Sequence, residues 1–545
     1  MKLRLFLAPM AALAAVSCAN RTAQQPETTE TDEMIVERAE DMMPSGEVEE
    51  TDEMIVERAE DMMPSGPAAE LHRFILQARN LDMAPGFAVA VVHGDEVAYA
   101  ADFGWADEEA GREVDAETIF YIASSTKSFT GMAAAKLHHA GRLDLDARLS
   151  NYLPELRMTP PLSEDSITLR QLLTHTHGIE NGGPIVLRTA FTGEHDPDML
   201  LDLLAEQPAG AQGRDFRYGN MGYNVASLAM DAWLGESWKD VLAEEIFGPI
   251  GMGSTSAYRS RIDESRLAMP YGWEPDGWQR RRYAKEDSNM HAAGGMMTTT
   301  ADLARWLVVN LNEGRIDGRQ VLPAAAVADA HTAVAENDDD WGPFSRDGYG
   351  LGWHVGVYDG SRQLHHFGGF TGFHAHVSFM PDERIGVVVL VNGSGTGSIL
   401  ATSVASFAYD AFRGKPDIKA HGDAVLEQMA EQAEQRRERT RADRERRAGR
   451  PQVLPHPLEA YAGMYESARL GRLTWSIRDG RLHAQIGLAQ SDVEVYNGEA
   501  NQLRVELTGG GTVVAFEFPE GAERATALTV AGERLEYVGD TVGTW

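Results

Sequence analysis

Ser124 and Lys127 stand three residues apart in the stretch Ile122-Ala123-Ser124-Ser125-Thr126-Lys127-Ser128-Phe129-Thr130. A short extended run, Thr118 to Tyr121, precedes it, and an apolar helix, Phe129 to Leu137, follows. A serine at the start of such a helix has its hydroxyl near unpaired backbone N–H groups and the positive end of the helix dipole. Lys127 falls on the same helical face about one turn later, within hydrogen-bonding reach of that hydroxyl. A buried lysine gives up its proton more readily than a solvated one, so it can act as the base that activates the serine. The chemistry this allows is acyl transfer through a covalent serine intermediate. Taken alone, the pair also reads as a helix cap followed by a solvated lysine.

Two more stretches decide between these readings. Phe216-Arg217-Tyr218-Gly219-Asn220-Met221-Gly222-Tyr223 holds a Tyr-x-Asn ahead of a helix, and His365-His366-Phe367-Gly368-Gly369-Phe370 holds a His-x-Gly beside a strand. The order Ser-x-x-Lys, Tyr-x-Asn, His-x-Gly resembles the serine β-lactamase and penicillin-binding protein superfamily, nearest to its class C β-lactamase-like esterases, D-aminopeptidases and related serine hydrolases. Flanking phrases such as Gly141-Arg142-Leu143-Asp144-Leu145-Asp146, Thr168-Leu169-Arg170-Gln171-Leu172-Leu173-Thr174-His175-Thr176 and Tyr349-Gly350-Leu351-Gly352-Trp353 extend the likeness over residues 70–415.

The resemblance implies roles. Ser124 is the nucleophile, Lys127 and Tyr218 share the proton transfers, and Asn220 positions Lys127 and a substrate amide. The backbone N–H groups of Ser124 and Gly369 form the oxyanion hole, and Gly368 and Gly369 let substrate approach the strand. His366 stands where many relatives carry lysine. A lysine would hold a substrate carboxylate, whereas histidine is mostly neutral at pH 7, which predicts a weaker demand for that carboxylate. The implied substrate is an ester or a small peptide or amide. The alternatives are D,D-peptidase or β-lactamase activity, or a non-catalytic penicillin-recognising sensor or cell-wall binder.

These residues need a scaffold. Phe87 to Val92 and Glu96 to Ala100 read as a hairpin, and so do His374 to Met380 and Ile385 to Val391, far along the chain. Strands at both ends with helices between them predict an α+β fold: an antiparallel sheet completed by the two ends of the domain and flanked by helices. The resemblance adds an all-helical insertion and places this domain over residues 68–415. Residues 416–454 read as a charged helical linker, its arginine-rich second half either ion-paired or facing acidic lipid. In residues 455–545, short alternating segments with Asp479-Gly480 at a hairpin turn predict a small all-β barrel or sandwich. Its opening Tyr461-Ala462-Gly463-Met464-Tyr465 resembles lipocalin-like domains.

The N-terminus reads as an export signal over residues 1–17, with Lys2 and Arg4 ahead of a short apolar core. Ala15-Val16-Ser17-Cys18 resembles a bacterial lipobox, so Cys18 is the expected lipidation site and the periplasmic face of a bacterial membrane the expected location. Cys18 is the single cysteine, so no intrachain disulfide can form. Residues 18–67 form an acidic tether in which residues 31–46 recur letter for letter at 51–66. A net charge of −34 argues against nucleic-acid binding. His374 and His376 share a strand face like a metal pair, but no further ligands follow at zinc-site spacing, so no metal or cofactor is expected.

Overall fold

The computed structural model describes residues 65–211, 213–282 and 285–540. Cys18, the export signal and the acidic repeat lie outside the described residues. The strand Gly86–His93 is apolar at every position but its last, and the sheet explains why. It pairs antiparallel with Glu96–Asp107 on one side and with Ile385–Val391 on the other, Phe87 facing Val391. Phe87, Val89 and Val91 point into one core with Val387, Val389 and Val391, while Ala88 and Ala90 join Val388 and Leu390 in the other. A strand covered on both faces has no polar side to show.

The sheet runs in the order Ala335–Trp341, Phe344–Tyr349, His354–Tyr358, Ser361–His365, Phe373–Met380, Ile385–Val391, Gly86–His93, Glu96–Asp107, Arg112–Glu113. The two ends of the domain therefore meet at its centre. A short strand, Gly368–Phe370, pairs with Phe373–Met380 off this path. One face is covered by the helices Pro67–Arg79 and Gly397–Phe412, where Phe74 stacks on Phe407 at 4.1 Å. The other carries the helices Thr126–His139 and Thr300–Leu311, with Phe129 stacked on Trp306 at 4.2 Å. Helices fill the insertion between Thr126 and Leu311, joined by the short hairpin Tyr271–Glu274/Gly277–Arg280.

The helix Ile418–Ala448 leaves this domain and leads to a nearly closed antiparallel barrel of nine strands between Gly463 and Gly539. Trp475 fills the barrel core, with Phe516 packed edge-on against it and Tyr465 edge-on against Phe516. Some arginines of the helix are committed to the protein. Arg444 binds Glu274 of the larger domain and Arg447 binds Glu494 of the barrel. The barrel also touches the larger domain directly: the Leu488 N–H donates to the Thr192 carbonyl at 3.0 Å, and the Arg188 guanidinium donates to the Arg469 carbonyl at 3.2 Å. Among the described residues, no helix is long and apolar enough to cross a membrane.

Candidate active site

Ser124 sits in a 3-10 turn, Ala123–Ser125, that leads directly into the helix Thr126–His139. Ala123, just before it, is held at a φ of 45°, a left-handed conformation that a side chain adopts at a cost. The turn is fixed from below: the Ser125 hydroxyl donates to the His366 carbonyl at 2.9 Å, and the Thr126 hydroxyl to the Ala123 carbonyl at 2.7 Å. Ser124 itself stays half-buried, open to one side.

Lys127 is fully buried one turn on. Its ammonium nitrogen lies 3.1 Å from Ser124 Oγ, 2.9 Å from Asn220 Oδ1 and 2.7 Å from the Ala293 carbonyl. Among the described residues, no carboxylate pairs with it; the rings of Tyr218 and Tyr223 lie 4.9 and 5.6 Å away. Burial therefore holds its pKa well below the ordinary lysine value. Asn220 begins the helix Met221–Leu234 but makes no capping bond with its side chain, which is spent on Lys127 instead.

Tyr218 comes from the irregular stretch before that helix. Its backbone is pinned by the Asn181 amide, which donates to the Tyr218 carbonyl at 2.6 Å and to the Arg217 carbonyl at 3.1 Å. Tyr218 leaves 39% of its surface open, forming one side of the cleft, while its hydroxyl faces the Ser124 side chain. Burial of that hydroxyl pushes its pKa up to about 12, so it is a proton donor at neutral pH.

His366 lies beside Tyr218, ring centres 5.9 Å apart. Its Nδ1 is 3.0 Å from the Phe367 carbonyl and its Nε2 3.1 Å from the Tyr349 hydroxyl. This fits a neutral ring that donates through Nδ1 and accepts at Nε2. Burial first, and the Lys127 charge second, hold its pKa well below the usual imidazole range. Both ring nitrogens are engaged and neither carries a charge to offer.

The two glycines differ from the sequence-based expectation that both make room for substrate. A Cβ on Gly368 would lie 1.9 Å from the Ile122 carbonyl oxygen and 3.1 Å from the Ser124 nitrogen, so its missing side chain lets the strand lie against the serine turn. A Cβ on Gly369 would meet nothing within 4 Å and would point into the open cleft. The requirement at Gly368 comes from packing, not from substrate.

Sequence reasoning missed the aromatic cage behind the site. His175, at a φ of 60°, sits between Tyr218, Tyr223 and Tyr349 with ring centres 4.8 to 5.4 Å away. In sequence, Tyr349 stands out only as part of a flanking phrase; its contact with His366 is tertiary and leaves no local pattern. Arg346, mostly buried, donates through Nε to His365 Nε2 at 2.9 Å and lends positive potential to Tyr218. His177, unexplained from sequence, accepts the Ile179 N–H on Nδ1 at 3.0 Å and so braces the turn after the helix Leu169–Leu173.

His374 and His376 do share a strand face but serve packing: His376 Nε2 bonds the Ser378 hydroxyl at 2.7 Å, which continues to Tyr409 at 2.7 Å. Among the described residues, the group of acids and imidazoles with converging ligand atoms is His138, Asp144 and Asp146, on the surface and apart from Ser124.

Buried neutral histidines make stability sensitive to acid. Burial lowers His177 and His374 to about 4 and His331 to about 3. Each adds its full stability above pH 6.5, the unfolded value, and loses it as pH falls towards the folded value. At pH 5 the loss is about 2 kcal/mol per histidine. The urea midpoint of the catalytic domain is therefore expected to drop steeply between pH 7.5 and pH 5. A flat midpoint over that range would show that these rings take up protons without unfolding.

The sequence profile of the beta-lactamase family, described as Beta-lactamase, matches residues 77–406, more than half of the chain. Protein flp of Staphylococcus aureus (strain MW2) is 25% identical over 312 residues, covering 56% of this chain. The match spans 59% of that relative's own length. Unguisins hydrolase ungD of Aspergillus violaceofuscus is 25% identical over 517 residues, covering 84% of this chain and 87% of the relative. Among solved structures, the octameric penicillin-binding protein homologue from Pyrococcus abyssi superposes with a TM-score of 0.56 at 20% identity, over 86% of this chain and 99% of that one. The D-amino acid amidase of Ochrobactrum anthropi SV3 gives 0.53 at 20% identity, over 63% and 99%. These two likenesses concern the fold.

Proposed function

The chain belongs to the beta-lactamase family, and from that premise we propose that it is a serine hydrolase that cleaves an ester or small amide through an acyl-enzyme on Ser124. The observation that carries this reading is the 3.1 Å approach of a buried Lys127, paired with no carboxylate among the described residues, to Ser124 Oγ. A neutral amine at that place takes the serine proton as Oγ attacks the substrate carbonyl carbon. The carbonyl electron pair moves onto oxygen, which faces the N–H groups of Ser124 and Gly369. The bond to the leaving group then breaks as Tyr218 gives it a proton and is reprotonated by Lys127. Water attacks the acyl-enzyme in the second half, its proton passing back to the Lys127–Tyr218 pair and on to Ser124 as the acid leaves.

The neutral His366 supports substrates that lack the carboxylate of a β-lactam or a D-Ala-D-Ala peptide. The relative named as an unguisins hydrolase matches 84% of this chain and supports hydrolytic turnover over mere binding. The lipobox-like Cys18 and the signal before it support an exported enzyme anchored by lipid to a bacterial membrane, held off it by the acidic tether.

The test is intact-protein mass of the full chain after exposure to a fluorophosphonate and, separately, to a penicillin. Wild type and Ser124→Ala are compared, with p-nitrophenyl acetate turnover recorded on each. A single fluorophosphonate adduct and ester turnover, both absent from the alanine variant, are expected. A lasting penicillin adduct without ester turnover would move the protein to a penicillin-recognising sensor, and no adduct at all would end the hydrolase reading.

A further inference from the structure

We propose that the C-terminal barrel builds one wall of the pocket for the acyl group, and that this pocket takes an apolar acyl chain or ring whose far end stops against the barrel loop of residues 507–511. The proposal rests on the acyl-enzyme reading above and extends it to the part of the substrate retained on Ser124.

The direction of the substrate follows from where protons are available. The leaving group must be protonated by Tyr218 or Lys127, and both stand at the His366 end of the strand Gly368–Phe370. A carbonyl bound at Gly369 therefore sends its leaving group towards His366. The acyl group runs the other way, along Phe370 and Thr371.

That end of the strand is apolar and belongs to two domains. Phe370, half-buried, meets the Tyr121 ring edge-on at 5.2 Å and the Phe191 ring in a stack at 6.2 Å. Lys285 fastens this floor from beneath. Its ammonium nitrogen donates to the Ala190 carbonyl at 2.8 Å and lies 4.3 Å from the centre of the Phe370 ring. With 3% of its surface exposed, it shows the cleft no charge to attract an anion. Phe191 sits in the segment Arg188–Thr192, and it is this segment that the barrel grips, through the Leu488 N–H on the Thr192 carbonyl.

A second barrel loop closes the other side. Gly509 is so near Thr371 that a Cβ on it would lie 2.4 Å from the Thr371 hydroxyl. Thr371 is two residues past Gly369. The barrel thus touches both margins of the aromatic floor, at Thr192 and at Thr371, while the space above Gly369 stays open. An apolar group lying on Phe370 would exclude water from that floor, at about 25 cal/mol per Å² of apolar surface covered.

Gly510 offers a clean probe. A Cβ there meets nothing within 4 Å, and its φ lies outside the left-handed region, so a side chain can be added without backbone strain. The experiment measures kcat/KM of the full chain on p-nitrophenyl acetate, butyrate, octanoate and phenylacetate, for wild type, Gly510→Trp and Phe191→Ala. Gly510→Trp is expected to lower the octanoate-to-acetate ratio at least tenfold, because the indole shortens the pocket. Phe191→Ala is expected to lower the phenylacetate-to-acetate ratio at least fivefold through loss of the ring floor. Unchanged ratios in variants that melt like wild type would overturn the proposal. So would a change that follows the alcohol portion in a parallel series of acetate esters, since the wall would then face the leaving group. A wild type that takes no fluorophosphonate and turns over no ester would instead overturn the hydrolase reading, and the pocket with it.

Discussion

Lys127→Met is expected to lower kcat/KM for p-nitrophenyl acetate by about 100- to 10,000-fold, the range a positioned general base contributes. Methionine keeps most of the length and volume of the lysine side chain but ends in an apolar methyl. It cannot make the hydrogen bonds that the lysine makes to Ser124 Oγ, Asn220 Oδ1 and the Ala293 carbonyl. The fold should survive, because replacing a buried amine with an apolar chain removes the cost of desolvating a charge. An unchanged or higher melting temperature is therefore expected beside the collapse in rate.

The pH profile gives an independent reading. The reactive form of Lys127 is the neutral amine, and burial holds its pKa well below the ordinary lysine value. Wild-type kcat/KM should rise as pH passes upward through that lowered value. It should then stay level through the neutral and mildly alkaline range, since Tyr218 loses its proton only near 12. The residual activity of Lys127→Met should lack the acid limb. A loss of less than tenfold, or an acid limb that persists, would give the base role to another group.

The second large effect is expected at Gly368 and comes from packing alone. In Gly368→Ala the new methyl would sit 1.9 Å from the Ile122 carbonyl oxygen, 2.9 Å from the Ile122 carbonyl carbon and 3.1 Å from the Ser124 nitrogen. All three are backbone atoms and cannot swing aside. Either the strand Gly368–Phe370 or the turn Ala123–Ser125 must move, by roughly 1 Å, and a displacement of that size in a reacting group costs on the order of 100-fold in rate. Overpacking should also cost about 1–3 kcal/mol of stability. At Gly369 the added methyl finds open space, so Gly369→Ala should keep wild-type stability and lose far less activity. Kinetics and thermal melts on the pair decide the matter. Equal losses, or a worse outcome at Gly369, would mean that substrate and not the serine turn imposes the glycine at 368.

What the sequence made legible has a common cause. Hairpins over residues 87–100 and 374–391 announce themselves because the central strands Gly86–His93 and Ile385–Val391 are buried and almost wholly apolar, and their meeting in one sheet follows from the need to cover them. The charged helical linker read over residues 416–454 is a helix from Ile418 to Ala448 in the structure, while the apolar stripe in its sequence starts only near Val425. Its first turns hold Lys419 and His421 rather than an apolar stripe, so the pattern starts after the helix does. The edge strand Ala335–Trp341 escaped notice because Asp338, Asp339 and Asp340 occupy it, and a solvent-facing edge needs no apolar alternation.

At the site, spacing alone placed Lys127 against Ser124, since three residues in a helix is a fixed distance. The partners of His366 and the ring cage around His175 come from strands and turns remote in sequence, and nothing near either residue encodes them. The purpose of Gly368 was misread for the same reason: the atom it avoids belongs to Ile122, more than two hundred residues away in sequence.

The central pairing of Gly86–His93 with Ile385–Val391 also sets the order in which the protein can form. Bringing together segments about 300 residues apart costs on the order of 5 kcal/mol in chain entropy. A growing chain can assemble the insertion's helices as they emerge, yet the strand Gly86–His93 lacks its second neighbour until residue 391 has been made. The same delay holds for the seat of the nucleophile, because the strand that supports the Ser124 turn, Gly368–Phe370, is itself carried by Phe373–Met380. The enzyme is therefore inert through most of its own synthesis. For the exported protein proposed above, that delay keeps the nucleophile silent on the way out, and catalytic competence arrives only with the last central strand.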